Sequence, residues 1–178
     1  MALGDLKKLI LMCNEKKQAH LAVRGVNLYQ SKGQDFSEEV NAHFVKQMLQ
    51  MDAVDQALHV LTKPQHRLGA YMTPKSTDTF LQALAAKPNV PGMVKVLQTL
   101  QNKGLFLKSV ETATTVLKLV SEAGDAELYD TALVALKIVI HKDANLDVEA
   151  LGNQFPRPVE EAVSEEGEGD AALDEEKK

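Results

Sequence analysis

Tryptophan is absent from this sequence of 178 residues, and aromatic residues make up only 4% of it. This scarcity disfavours a ligand pocket lined by aromatic rings and favours a core of packed aliphatic side chains. Cys13 is the only cysteine, so no disulfide can form within the chain. Residues 9–12 beside it are all apolar, which indicates a buried thiol that packs as a small apolar side chain. The sequence is therefore compatible with a reducing compartment.

Long apolar runs are also lacking. No run approaches the ~18 consecutive apolar residues that span a bilayer, so we predict no membrane insertion. Residues 1–34 carry six basic side chains and two acids, a composition that also fits a weak organelle transit peptide. This segment has a single arginine, however, and its apolar spacing agrees with that of the repeats described below. We therefore expect it to fold as part of the body.

Motifs for catalysis and for metal or phosphate binding are missing. There is no HExxH motif, no glycine-rich phosphate loop and no serine in a nucleophile elbow. His59 and His66 are seven residues apart, but Pro64 interrupts the helix that would bring them to one face. The other histidines, also without partners at metal-ligand spacing, are His20, His43 and His141. We therefore predict no catalytic residue, no metal, no cofactor and no small-molecule substrate.

Charge divides the chain into two parts. Residues 159–178 contain nine acids and two lysines, a net charge of −7, and because the whole chain carries −5, residues 1–158 carry +2. We predict a helical-repeat domain over residues 1–158 and a disordered acidic tail over residues 159–178, since the tail has few large apolar groups. The tail either only raises solubility or contacts a basic partner or the body's own groove.

A helix–turn–helix unit spans residues 76–108. Its first helix has apolar side chains at helical spacing, and a second apolar series follows the break at Pro88. Pro91 suits the first turn of that second helix, and Gly104 suits a left-handed helix end. The apolar positions are Phe80, Leu81 and Leu84 in the first helix and Val90, Met93, Val94, Leu97 and Leu100 in the second.

The unit recurs when the sequence is shifted by 36 residues. The three apolar columns that then align are Phe44, Phe80 and Val116; Ala57, Met93 and Tyr129; and Leu61, Leu97 and Leu133. A further step back pairs Leu21 with Ala57 and defines a less regular first copy. A single helical hairpin cannot bury both of its apolar faces, so neighbouring copies must stack. We predict an all-α protein, an α-solenoid of about four helix–turn–helix repeats, whose function is binding.

Capping residues mark the predicted helix starts, because a short polar side chain can accept a hydrogen bond from the first turn. The predicted caps are Ser37, Asp52, Ser109 and Asp125. In the second helix of the first copy, we predict that the apolar face consists of Leu21, Ala22, Val26, Leu28 and Tyr29. Pro64 should end a helix, and residues 63–75 then form a loop at one edge of the array, which is either a partner contact or an ordinary turn.

The unit around Phe80 resembles a pentatricopeptide repeat, whose first helix has apolar residues at its sixth, seventh and tenth positions and whose end carries lysine and glycine. Those positions are here Phe80, Leu81, Leu84, Lys103 and Gly104. The resemblance covers roughly residues 6–142 and is strongest in the central unit. A tetratricopeptide pattern, with a period of about 34 residues, fits less well.

The resemblance implies that one residue early in the first helix and one at the repeat's end contact each base of a single-stranded RNA. The residues that carry over by position are His43, Thr79 and Thr115 for the first role and those near Lys75 and Lys108 for the second. Threonine is a familiar occupant of the first position, but histidine is not, and the usual asparagine or aspartate is missing at the second. We therefore expect no sequence-specific RNA recognition by this protein alone. Lys95 and Lys103 complete the candidate RNA contacts.

The resemblance also implies a location in an organelle, the mitochondrion or alternatively the chloroplast. We predict a non-catalytic helical-repeat subunit of a mitochondrial ribonucleoprotein, a structural component of the mitochondrial ribosome that contacts ribosomal RNA and other proteins of the assembly. The alternative is a protein–protein adaptor or assembly factor of another organellar complex, whose groove receives a peptide or a helix.

Overall fold

The computed structural model describes residues 1–159, which form nine α-helices joined by turns and three short 3-10 helices. The α-helices are α1 (Leu3–Met12), α2 (Ala19–Ser31), α3 (Glu38–Gln50), α4 (Val54–Thr62), α5 (Pro74–Ala86), α6 (Val90–Lys103), α7 (Val110–Glu122), α8 (Ala126–Val139) and α9 (Val148–Gln154). The predicted all-helical class is confirmed. In this part of the chain, no helix has both the length and the apolar character that crossing a membrane requires. The predicted disorder of the acidic tail concerns residues that, apart from Val159, lie outside the described range.

The helices pack in two layers. The odd-numbered helices α1, α3, α5 and α7 contact one another in order, and so do the even-numbered helices α2, α4, α6 and α8. Each odd helix also packs on the even helix that follows it, and α9 rests on α7 and α8. The apolar core lies between the layers. We call the solvent-exposed surfaces of the two layers the odd-helix face and the even-helix face.

The helix starts follow the predicted period. α3, α5 and α7 begin at residues 38, 74 and 110, and α4, α6 and α8 begin at residues 54, 90 and 126, so successive starts lie 36 residues apart. The aligned Phe44, Phe80 and Val116 are all fully buried, as predicted. The capping residues Ser37 and Ser109 also accept the expected hydrogen bonds from the first turns of α3 and α7.

The first repeat is offset by one residue. α1 and α2 begin 35 residues before α3 and α4, not 36. A shift of one residue rotates a helical face by about 100°. The residue equivalent to Ala57 is therefore Ala22, which is fully buried, and not Leu21. The prediction that Leu21 and Leu28 face inward is therefore wrong, because these side chains are 40% and 51% exposed.

Asp52 does not cap α4, so that prediction is also wrong. Its φ of 53° lies in the left-handed region, and the cap position belongs to Ala53. The carboxylate of Asp52 instead binds Lys87 and, at 3.2 Å, Lys16. The hydrogen bond from Lys87, followed by that from Lys16, lowers the pKa of this carboxyl group. Asp52 thus links the hairpin turns of three successive repeats.

The loop after α4 is packed inward. α4 ends two residues before Pro64, as predicted, but Leu68 and Gly69 in the following loop are buried. The side-chain amide of Asn41 donates a hydrogen bond of 3.0 Å to the Leu68 carbonyl oxygen. A Cβ atom on Gly69 would lie 2.0 Å from the carbonyl oxygen of Leu61. The middle of the loop therefore packs against the core, while residues 63–65 at its start are exposed.

Candidate nucleic-acid interface

A shallow depression of about 300 Å³ lies on the odd-helix face between α3 and α5. Its lining residues are Ala42, His43, Val45, Lys46, Thr73, Lys75, Ser76 and Thr79. We call it the α3–α5 depression. Three of the predicted RNA contacts, His43, Lys75 and Thr79, come together here although they belong to two different repeats.

Helical spacing places the polar groups of the depression. His43 and Lys46 are about one turn apart on α3, and Lys75 and Thr79 are about one turn apart on α5. The Nδ1 atom of His43 lies 2.7 Å from the Glu39 carbonyl oxygen. Because a carbonyl oxygen only accepts, Nδ1 carries the proton, and the Nε2 atom of a neutral ring is left as an acceptor. The Thr79 hydroxyl donates to the Lys75 carbonyl oxygen at 2.9 Å.

A buried polar network holds the two walls of the depression together. Ser76 Oγ lies 3.1 Å from the side-chain oxygen of Asn41, whose amide group is bonded to Leu68. Ser76 also takes part in the capping of α5 by Thr73. Asn41 and Ser76 are both buried. The relative positions of α3 and α5, and with them the shape of the depression, therefore depend on specific hydrogen bonds.

The depression carries positive charge. Lys46 and Lys75 are exposed, and neither has an ion-pair partner within residues 1–159. Glu39 on the same face is paired with Lys7, whose hydrogen bond lowers the pKa of Glu39. Burial raises the pKa of the Asp78 carboxyl group on α5, and its Oδ1 atom is buried without a partner. The lining itself contains two lysines and no acid, and lysine charges suit contact with phosphate oxygens.

One column of the odd-helix face runs through four repeats. Given the observed spacings of 35, 36 and 36 residues, Lys8 is equivalent to His43, Thr79 and Thr115. Thr115 is half-buried on α7 and does not line the depression. The 36-residue shift does not identify Lys8, because the first repeat is one residue out of register with the others. It also does not identify Lys46, which a search for lysines one turn beyond His43 would have found.

The other predicted contacts lie elsewhere. Lys95 is on the even-helix face, where it lines a cleft between α4 and α6, while Lys103 lies in the last turn of α6. Lys75 and Lys108 are 33 residues apart and are therefore not equivalent within a 36-residue repeat. Lys75 aligns instead with Glu111. The seven predicted residues thus do not form one continuous surface.

Metal-binding residues do not cluster within residues 1–159, where no group of three or more histidine, cysteine or carboxylate side chains could hold an ion. No protein-family model matches this sequence, and no curated protein and no solved structure gave a significant match. The pentatricopeptide resemblance therefore depends on the sequence pattern described above.

Proposed function

We propose that the chain is an α-solenoid of four pentatricopeptide-like repeats and acts as a non-catalytic subunit of a mitochondrial ribonucleoprotein. In this proposal it is a structural component of a mitochondrial ribosome, and the odd-helix face contacts RNA. The two-layer stacking of helices at a period of 36 residues supports the architecture. The organelle and the ribosome follow from the family resemblance.

One observation carries the RNA contact. The α3–α5 depression combines Lys46 and Lys75, which form no ion pair with a described residue, with hydrogen-bonding groups on His43 and Thr79. Lysines bind phosphate oxygens, while imidazole and hydroxyl groups bind sugar and base atoms. With the equivalent Lys8 and Thr115, these groups form a row across the odd helices that suits an extended single strand.

The number of such contacts limits what the protein does alone. Each exposed lysine contributes modestly to binding, and that contribution falls as salt concentration rises. A few contacts of this kind favour a component held in place by many neighbours over an independent RNA-binding protein. This is why we propose a ribonucleoprotein subunit.

The first test sediments native extract through a gradient, with and without ribonuclease, and follows this protein. We expect it to migrate with a ribosomal subunit and to leave that fraction when the RNA is digested. Migration with a ribonuclease-resistant complex, or as a free small protein, would contradict the proposal.

A second test uses the purified full-length chain and a labelled single-stranded RNA. Replacing Lys46 and Lys75 together with alanine removes two phosphate contacts, so the slope of log K against log salt concentration should fall by about 1.4. Lys142→Ala is the matched control, because Lys142 is exposed on the 3-10 helix after α8. A reduction of about 0.7 in the control, half that of the double variant, would show that binding depends only on overall charge.

A protein–protein adaptor is the second candidate. The observation that favours it is the pair of exposed apolar side chains Val134 and Ile138, about one turn apart on α8. Exposed apolar groups of this kind suit a partner helix. The gradient separates the two candidates, because an adaptor remains in its complex after ribonuclease treatment.

A further inference from the structure

A second cleft, of about 500 Å³, lies on the even-helix face between α4 and α6. We call it the α4–α6 cleft. α4 has 9 residues and α6 has 14, so beyond Thr62 the wall opposite α6 consists of Lys63 and Pro64 and not of another helical turn. The lining residues are Asp55, Leu58, His59, Thr62, Lys63, Pro64, Lys95, Gln98, Thr99 and Asn102.

Two lysines supply the charge of this cleft. Lys63 stands on the α4 side and Lys95 on the α6 side, and both are exposed. Neither forms an ion pair with any described residue. Asp55 is the single acid in the lining. An anion between the two lysines would therefore gain contacts that residues 1–159 do not provide.

Two imidazole rings, tilted against each other, lie beside Lys63. His59 lines the cleft, and its ring centroid is 5.6 Å from that of His66, with 54° between the ring planes. His66 is only 9% exposed, and its Nδ1 atom is buried without a hydrogen-bond partner. Burial lowers the pKa of His66, and the neighbouring His59 and Lys63 lower it further. The exposed ring of His59 offers a flat surface that is suited to stacking against a planar base.

Two amides lie on the opposite wall. Gln98 and Asn102 are one turn apart on α6, are exposed, and make no side-chain hydrogen bond within residues 1–159. Each amide offers two donors and an acceptor, the combination that recognises the edge of an adenine or another base. The cleft therefore combines cations, a flat surface and base-edge partners within one volume.

We propose that the α4–α6 cleft binds one nucleotide. Its phosphate lies between Lys63 and Lys95, and its base stacks on His59 and pairs with the amides of Gln98 and Asn102. A free mononucleotide and one unit of a single-stranded RNA present the same chemistry, and a cleft of this size accommodates either. The site is on the face opposite the α3–α5 depression, so it stands independently of the function proposed above.

Calorimetric titration of the full-length chain with AMP, and separately with inorganic phosphate, tests the site. Binding of a labelled oligoadenylate is measured by fluorescence anisotropy. We expect AMP to bind more tightly than phosphate, and Lys95→Ala and Asn102→Ala each to weaken AMP binding about tenfold. Lys142→Ala should leave the affinity unchanged. Oligoadenylate that binds more tightly than AMP, and loses that affinity in Lys95→Ala, would identify the ligand as a strand. If oligoadenylate binds more weakly than AMP, and Lys95→Ala weakens the binding of both to the same extent, the ligand is a free nucleotide.

Other outcomes would overturn the proposal. These are no AMP binding at millimolar concentration, equal affinity for AMP and inorganic phosphate, or AMP binding that the cleft variants do not change. The Lys46→Ala, Lys75→Ala double variant separates the two sites. If the double variant abolishes binding of the oligonucleotide, while the cleft variants change the binding of neither AMP nor the oligonucleotide, the cleft proposal fails. The RNA contact at the α3–α5 depression is then retained. Circular dichroism of each variant confirms that the helices remain folded.

Discussion

α4 and α6 hold equivalent places in successive repeats, yet they end differently. Both begin in register, 36 residues apart, but α6 runs on to Lys103 and stops at Gly104, whose φ is 64°. α4 stops at Thr62, because Pro64 disfavours helical conformation in the residue before it and removes a backbone donor. The loop that follows α4 folds back, and its Leu68 is fully buried.

The 36-residue period therefore applies to the positions at which helices begin and not to the lengths of the helices. Stacked layers require each helix to begin beside its predecessor, and the caps Thr73 and Ser109 set those starts locally. The end of a helix is less constrained, since another segment can bury comparable apolar surface there. The shorter α4 leaves the α4–α6 cleft open on the even-helix face.

Removing the shared aromatic core should affect both repeats equally. Phe44 and Phe80 are equivalent and fully buried, so Phe44→Ala and Phe80→Ala should each lower the free energy of unfolding by about 3–5 kcal/mol. Chemical denaturation measures this. Leu28→Ala, at an exposed position, should change it by less than about 0.5 kcal/mol. A large difference between the two phenylalanine variants would mean that the repeats do not share one core.

The folded-back loop should tolerate no side chain at Gly69. The Cβ atom of Gly69→Ala would overlap the backbone oxygen of Leu61, so the loop must shift, and we expect at least about 2 kcal/mol of destabilisation. Gly4→Ala is the control, because no atom lies within 4 Å of its Cβ position. The melting temperatures of the two variants, measured by thermal unfolding at the same scan rate, provide the comparison. An unaffected Gly69→Ala variant would show that the loop is not held against α4.

Asn41 and Thr77 occupy the same position in successive repeats but should respond in opposite ways. Asn41→Ala leaves the Leu68 carbonyl oxygen without its donor, and should cost about 1–3 kcal/mol. Thr77 makes no equivalent hydrogen bond, because its buried hydroxyl oxygen has no partner within residues 1–159. Thr77→Val should therefore be neutral or stabilising. Denaturation midpoints measure both effects, and a destabilised Thr77→Val variant would reveal a hydrogen bond that the loop comparison does not predict.

The pH dependence of stability should give the smallest effect. Burial, with His59 and Lys63 adding to it, lowers the pKa of His66 below its usual 6.5. The folded state therefore resists protonation of His66, so stability is full above pH 6.5 and falls as the pH drops towards the lowered value. In His66→Gln this contribution is absent. We expect the melting temperatures of the two proteins to diverge between those pH values, and parallel curves would contradict a buried neutral imidazole.

Sequence patterns predicted most of the helices but not all of their contacts. Ser37, Ser109 and Asp125 cap helices as expected, because a cap acts within one turn of chain. Caps alone could not predict which face of α2 is buried. The first repeat is one residue shorter than the others, and this difference rotates the buried face of α2 relative to the equivalent helices. Asp52 was misassigned because its left-handed backbone and its two lysine partners depend on the neighbouring repeats.

The candidate site was predicted only in part for the same reason. His43, Lys75 and Thr79 were identified by their repeat positions, and they do line one depression. Lys95 was grouped with them but lies on the other layer. Lys95 belongs to α6, and the layer to which a helix belongs is decided by how the helices pack against one another.

The sequence by itself determined the helices, their starts and the period of 36 residues, because capping, proline breaks and apolar spacing act between residues close along the chain. Only the tertiary structure decided which distant groups meet. Lys46 joins Lys75 because α3 and α5 pack side by side, and His59 meets His66 because the loop after Pro64 folds back beside α4. Both candidate sites lie between successive helices of a layer, where their geometry depends on how neighbouring repeats pack.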